Sequence, residues 1–254
     1  MLIRRAIVVF TLGPLTLFLI YLGGWFYFLP FAALLGIAAY EFSRLINKLG
    51  WHTPNWLLLP FALLLWLTPL EVQAMLFGET LTGIDVVPAV LLLGLLAAMV
   101  HALWLFERGQ GEKAPASWMA TAGGILFLGW LGSYFFRLRA LEVSAAQWTA
   151  LAMLGTWIAD SGAYVFGKSL GKRKLAPRLS PNKTVAGYLG GVLSGTTLTV
   201  AIAYFLDLPL LVAFILGLLV SVVSPAGDLG VSMLKRSVGV KDSGNLLPGH
   251  GGAL

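Results

Sequence analysis

Cysteine is absent from this sequence of 254 residues. That excludes disulfides, thiolate metal sites and a cysteine nucleophile, and it leaves the redox compartment open. Charge is nearly as scarce: Asp, Glu, Lys and Arg make up 11% of the chain, against 58% hydrophobic residues and a mean hydropathy of +0.86. So few polar groups cannot cover a water-facing surface, and the composition predicts a protein of the bilayer. Histidine occurs only as His52, His101 and His250, without the paired spacing of a zinc site, and no Gly-x-Ser-x-Gly elbow is present. The net charge of +6 could suggest nucleic acid, but in a membrane protein charge is read by location, and no nucleic-acid partner is expected.

Long apolar runs are plentiful. A hydrocarbon layer of about 30 Å takes roughly 20 helical residues to cross. Runs of that order lie near 6–22, 24–40, 56–76, 86–106, 118–136, 146–167, 185–206 and 209–226. Only Gly23-Gly24 separates the first two, which makes them a tight helical hairpin or one broken element. Arg4-Arg5 precedes the first run without a small-residue cleavage site after it, so that run is expected to stay as a span. If all eight cross and the amino terminus is cytoplasmic, every Lys and Arg except Arg137 and Arg139 falls on the cytoplasmic side, while Glu71, Glu79, Asp85, Glu142 and Asp207 fall outside. The sequence therefore predicts an all-α polytopic integral membrane protein with about eight transmembrane helices. Both termini, and the face carrying the chemistry, are expected on the cytoplasmic side of a plasma (inner) membrane. Residues 1–140 read as a transmembrane scaffold and 141–254 as a catalytic transmembrane region of the same membrane domain.

The scaffold half is rich in Leu, Ala, Phe and Trp, with tryptophans such as Trp25, Trp56, Trp104 and Trp118 near span ends, where an amphipathic ring suits the interface. Glu41 and Arg44 lie three apart at the end of the second run, spaced to pair on one helical face as an anchor. In the second half, Asp160-Ser161-Gly162-Ala163-Tyr164 interrupts the sixth run and Ser224-Pro225-Ala226-Gly227-Asp228 ends the eighth. A carboxylate at membrane depth costs several kcal/mol and is retained where it meets a polar cavity, a cation or a partner. Between the sixth and seventh runs lies a basic, glycine-containing loop that ends in Ser180-Pro181-Asn182-Lys183-Thr184. Hydroxyl and ammonium donors there directly precede a helix whose first amides face the same space, which suits phosphate oxygens. Gly190-Gly191 and Gly195 offer a small face for close helix packing.

The last stretch reads Ser232-Met-Leu-Lys235-Arg236, four residues, Lys241-Asp242, then Leu247-Pro248-Gly249-His250-Gly251-Gly252. Asp228, Ser232, Lys235 and Arg236 recur at helical offsets and would line one face. This run resembles the signature of the phosphatidate cytidylyltransferase family of integral membrane enzymes. The upstream Asp160-x-Gly162-Ala163-Tyr164, Ser180-Pro181-x-Lys183-Thr184 and Gly227-Asp228 resemble that family in the same order, so the likeness covers roughly residues 155–252.

What the resemblance implies is transfer of CMP from CTP to phosphatidate, giving CDP-diacylglycerol and pyrophosphate in phospholipid biosynthesis. Such a site must neutralise two anionic substrates. Magnesium on carboxylates and Lys or Arg on phosphate meet that demand, with a second cation such as K+ as an option. Asp228 is expected as metal ligand with Asp160 and Asp242 as polar or metal-site partners, and Lys183, Lys235, Arg236 and Lys241 as phosphate binders. Ser180, Asn182, Thr184 and Ser232 are expected as hydrogen-bond donors, and His250 as a phosphate contact or proton carrier. The resemblance also implies a homodimer. It stops at Gly252: where the family continues with a large apolar residue, Asp-Arg-x-Asp and a further span, this sequence has Ala253 and Leu254, and the expectation is a shortened chain of greatly reduced activity. The alternatives are another CTP-dependent membrane lipid transferase or kinase, or an ion-coupled transporter using Asp160 and Asp228.

Overall fold

The computed structural model describes residues 2–69, 86–244 and 252–254, and within them each apolar run contains a helix. In chain order the helices are α1 (Leu2–Leu22), α2 (Gly24–Lys48), α3 (Asn55–Trp66), α4 (Val87–Gln110) and α5 (Ala114–Arg139). They continue as α6 (Ala145–Leu170), α7 (Val185–Phe205) and α8 (Leu210–Ser237). Among the described residues five are long and apolar enough to cross a membrane, namely α2, α4, α5, α7 and α8. The apolar stretches Thr11–Leu22 and Asn55–Trp66 are shorter, and α6, though 26 residues long, carries Asp160, Ser161, Lys168 and Ser169.

The chain divides into two compact units, Met1–Ala145 with Ser237–Leu254, and Ala146–Arg236. In the first, Gly23 turns the chain between α1 and α2 at φ +64°, a conformation open to glycine, so the expected hairpin or break is resolved as two helices. Tyr27, Phe28 and Phe31 of α2 pack on Phe135 and Phe136 of α5, with ring centroids 4.9–6.1 Å apart. The α5 helix loosens into a π-helical stretch over Ile125–Trp130, and there the buried Trp66 indole donates to the Leu128 carbonyl at 2.9 Å. Gly129 makes room for that approach, because a Cβ on it would meet Leu65 and the Ala62 backbone. His101 lies between the rings of Trp56 and Trp104, at 5.7 and 5.9 Å, in keeping with a structural histidine.

The second unit is organised by glycine. A Cβ on Gly190 would run into Phe166, one on Gly191 into the Ala159 carbonyl, and one on Gly195 into Ser221, so α7 lies close against both α6 and α8. Leu151, Ala203, Leu208 and Ala213 close the far end as an apolar core. The α6 helix runs unbroken through Asp160-Ser161-Gly162, as the single run 146–167 predicts, and Ser161 returns its hydroxyl to the Trp157 carbonyl of the preceding turn at 2.8 Å. One boundary changes: α8 does not end with the apolar run near Pro225 but carries that proline inside a helix of 28 residues that reaches Ser237. The basic loop also contains structure beyond the all-α expectation: β1 (Lys174–Ala176) pairs antiparallel with β2 (Ser180–Thr184), with Lys174 opposite Thr184 and Ala176 opposite Ser180.

Candidate active site

Strand β2 alternates its side chains, and its end runs directly into α7. Thr184 is the residue at that junction. It is buried, extended at φ −124° and ψ 156°, and its hydroxyl accepts from the Gly187 amide at 3.1 Å, capping the helix. Thr184, expected as a donor to phosphate, thus spends its side-chain oxygen on one of the amides that were expected to face the ligand. Its seat is crowded by glycines: a Cβ on Gly167, Gly171 or Gly187 would press on the Thr184 hydroxyl.

Around this junction lies a cavity of about 320 Å³. Asp160, Ala163 and Tyr164 of α6 form one wall, Leu175 of β1 with Ser180, Asn182, Lys183 and Thr184 of β2 another, and Gly187, Tyr188 and Pro225 close it. Lys183 Nζ forms an ion pair with Asp228 Oδ2 from the turn of α8 after Pro225. Asp160 lies within electrostatic range of both that ammonium and that carboxylate. The arrangement is therefore carboxylate, ammonium, carboxylate, with an amide and a hydroxyl beside it.

Such a set can hold a divalent cation. Among the described residues no three His, Asp or Glu side chains gather in one place. Magnesium, however, characteristically uses one or two protein carboxylates and takes its other oxygens from water and substrate phosphates. Asp160 and Asp228 fit that pattern, provided that Lys183 turns from Asp228 to a phosphate when one arrives.

The remaining expected residues divide by location. Ser232, Lys235 and Arg236 follow Asp228 along α8, and the continuous helix keeps Ser232 and Lys235 within two turns of it and Arg236 just beyond. Lys235 and Arg236 occupy the last turn, where a cation complements the helix dipole, and Arg236 Nε donates to the Leu179 carbonyl at 3.5 Å. Lys241 and Asp242 are exposed and belong to the first unit. His250 lies outside the described residues. Tyr164 and Tyr188 were not singled out as site residues. Each stands four positions after one that was, Asp160 and Thr184, and that helical spacing is the signal that points to them.

Glu41 was expected to pair with Arg44, and the structure separates them: Glu41 is buried whereas Arg44 is exposed. The carboxylate instead receives the Ser243 hydroxyl at 2.7 Å and the Leu254 amide at 3.0 Å.

Comparison with known proteins adds a family and named relatives. Residues 3–254 match the model of the cytidylyltransferase family. Over 145 residues the chain is 40% identical to a phosphatidate cytidylyltransferase of Staphylococcus aureus (strain COL), covering 56% of each chain. Over 131 residues it is 44% identical to the phosphatidate cytidylyltransferase of Bacillus subtilis (strain 168), covering 51% of this chain and 49% of that one. The chain spans about half the length of the curated relatives it matches.

Proposed function

Since the chain belongs to the cytidylyltransferase family, we propose that it serves a multi-pass membrane enzyme that transfers CMP from CTP to phosphatidate. A phosphate oxygen of phosphatidate bonds to the α phosphorus of CTP as the bond to the β-phosphate oxygen breaks, giving CDP-diacylglycerol and pyrophosphate. The observation that supports this reading is the cavity in which Asp160, Lys183 and Asp228 meet beside Ser180 and Asn182. Two anions must be brought together, so the protein's work is neutralisation and alignment. Lys183, released from Asp228, takes phosphate charge, while Ser180 and Asn182 donate hydrogen bonds and fix orientation. Asp160 and Asp228 would hold magnesium, which when bound supplies charge neutralisation at the phosphate oxygens. Ser232, Lys235 and Arg236 extend donors along α8, and Lys241, Asp242 and His250 keep the phosphate-handling roles that the motif implies.

The finer topology belongs to the same proposal: eight spans, with both ends and the basic hairpin on the cytoplasmic side. It is supported by the distribution of Lys and Arg. Dimerisation rests on the family alone, because Gly190, Gly191 and Gly195 are already occupied by α6 and α8.

The test is transfer from CTP labelled at the α or the γ phosphorus to phosphatidate in detergent micelles with magnesium. It is run on the chain and on the chain continued through Asp-Arg-x-Asp and one further span. Lipid labelled from the α position only, with release of pyrophosphate, is the expected result. Label from the γ position identifies a lipid kinase, and no lipid label from either chain overturns the reading.

A further inference from the structure

Glu41 is a buried carboxylate that the proposed chemistry does not use. It belongs to the last third of α2, where Ala38, Ala39, Phe42 and Leu45 are buried around it. Removing a carboxylate from water is costly unless donors replace the water, and here the donors come from the far end of the chain. Oε2 receives the Ser243 hydroxyl at 2.7 Å and the Leu254 amide at 3.0 Å. The Ser243 oxygen also lies 2.9 Å from the Leu254 carbonyl, and with a single proton to give it serves the shorter, charge-assisted contact to Glu41. Gly244 and Gly252 complete the seat. A Cβ on either would strike the Glu41 carboxylate, so both positions require the bare backbone for the approach.

These contacts have one thing in common. Ser243 and Gly244 directly follow Lys241 and Asp242, and Gly252 directly follows the stretch 245–251 that holds His250. One carboxylate on a helix therefore grips the chain on both sides of that stretch. We propose that Glu41 is a positioning residue for this phosphate-handling segment, fixing Ser243 and Gly244, which directly follow Lys241 and Asp242, and Gly252 and Leu254 against α2. The carboxylate touches no reacting atom. Its acceptor oxygens replace the hydrogen bonds that the segment's serine and amide would otherwise make with water, at one fixed place. The inference rests on the proposed function for what the segment binds, but not for the clasp itself.

The test uses the full chain in detergent with Glu41→Ala, Glu41→Gln, Ser243→Ala and the Glu41→Ala/Ser243→Ala pair, and with Arg44→Ala as a neighbour outside the clasp. Two measurements are made: backbone hydrogen exchange along the chain, and kcat and KM for CTP. Glu41→Ala is expected to speed exchange in 239–244 and 252–254 about tenfold or more while α3 and α5 stay protected. Glu41→Gln, which keeps an acceptor but loses the charge, should fall between. The double variant should behave like Glu41→Ala alone, because one interaction is removed twice. Turnover should fall by about tenfold or more in Glu41→Ala, with its stability against heat little changed, and Arg44→Ala should match the unsubstituted chain. Exchange that rises equally in α3 and α5, additive effects of the two substitutions, or an undisturbed 239–244 segment would each overturn the clasp. If neither the chain nor its continued version transfers CMP, the proposed function fails, and the exchange pattern still decides the role of Glu41.

Discussion

Lys183 and Asp228 pair with their side chains keeping 31% and 59% of their surface exposed. An ion pair so placed is worth at most about 1 kcal/mol, so stability is a poor reason for it. Poised charge for an anionic ligand is a better one, and exchanging the two residues separates the explanations. Lys183→Asp/Asp228→Lys keeps the pair and should leave thermal stability in detergent nearly unchanged, yet transfer should fall about 10²-fold or more, as should that of Asp228→Asn. Recovery of transfer in the exchanged variant would make the pair structural. Thr184 divides in the opposite way. Thr184→Ser keeps the cap on Gly187, whereas Thr184→Ala should cost about 1 kcal/mol in unfolding experiments, the usual worth of a helix cap. At this scale much was legible in advance: Asp160, Ser180, Asn182 and Lys183 are named by motif and meet in one cavity. Glu41 was legible only as a charge near a span end, because its partners are more than two hundred positions away, and no local pattern records so distant a contact.

The glycines of α7 turn sequence into geometry at the level of elements. The close approach of α7 to α6 brings Asp160 to the strand that carries Lys183, and Gly191 is where the Ala159 carbonyl leaves no room for a side chain. Gly191→Leu should overpack this contact at a cost of roughly 1–3 kcal/mol and lower transfer and thermal stability together. Gly230 on α8 faces open space, and Gly230→Ala should raise stability by about 0.5–1 kcal/mol, through helix propensity. Equal loss at both positions would mean that glycine is needed in these helices for a reason other than contact. Helix existence was legible from apolar runs, and so were the bounds of α6 and α7, but not the end of α8. The apolar run stops near Pro225, yet the helix carries that proline inside it and runs on to Ser237. The β1–β2 hairpin escaped notice because its strands are short, basic and without alternating apolar residues.

For the molecule as a whole, topology turns on whether α6 crosses the membrane. It is long enough, but its polar residues set it apart from the five described helices that are long and apolar enough to cross. If α6 lay along the surface, the basic hairpin and the Lys235–Lys241 segment would fall on the side opposite Arg44, Lys48, Arg108 and Lys113, and the charge distribution would split. If it crosses, all of them share one side and only Arg137 and Arg139 lie opposite. Asp160 is then an intramembrane carboxylate, and the Lys183 ammonium within electrostatic range offsets the cost of its burial, to which the like charge of Asp228 adds. Because the chain has no cysteine, single cysteines report side without background. Glu142→Cys, in the exposed link before α6, should react with a membrane-impermeant maleimide in intact cells, while Arg178→Cys and Glu112→Cys should react only after permeabilisation. Labelling of Glu142→Cys and Arg178→Cys from the same side would mean that α6 does not cross. The hairpin would then share a face with the Glu142 link, and cytoplasmic CTP could not reach the cavity proposed for it.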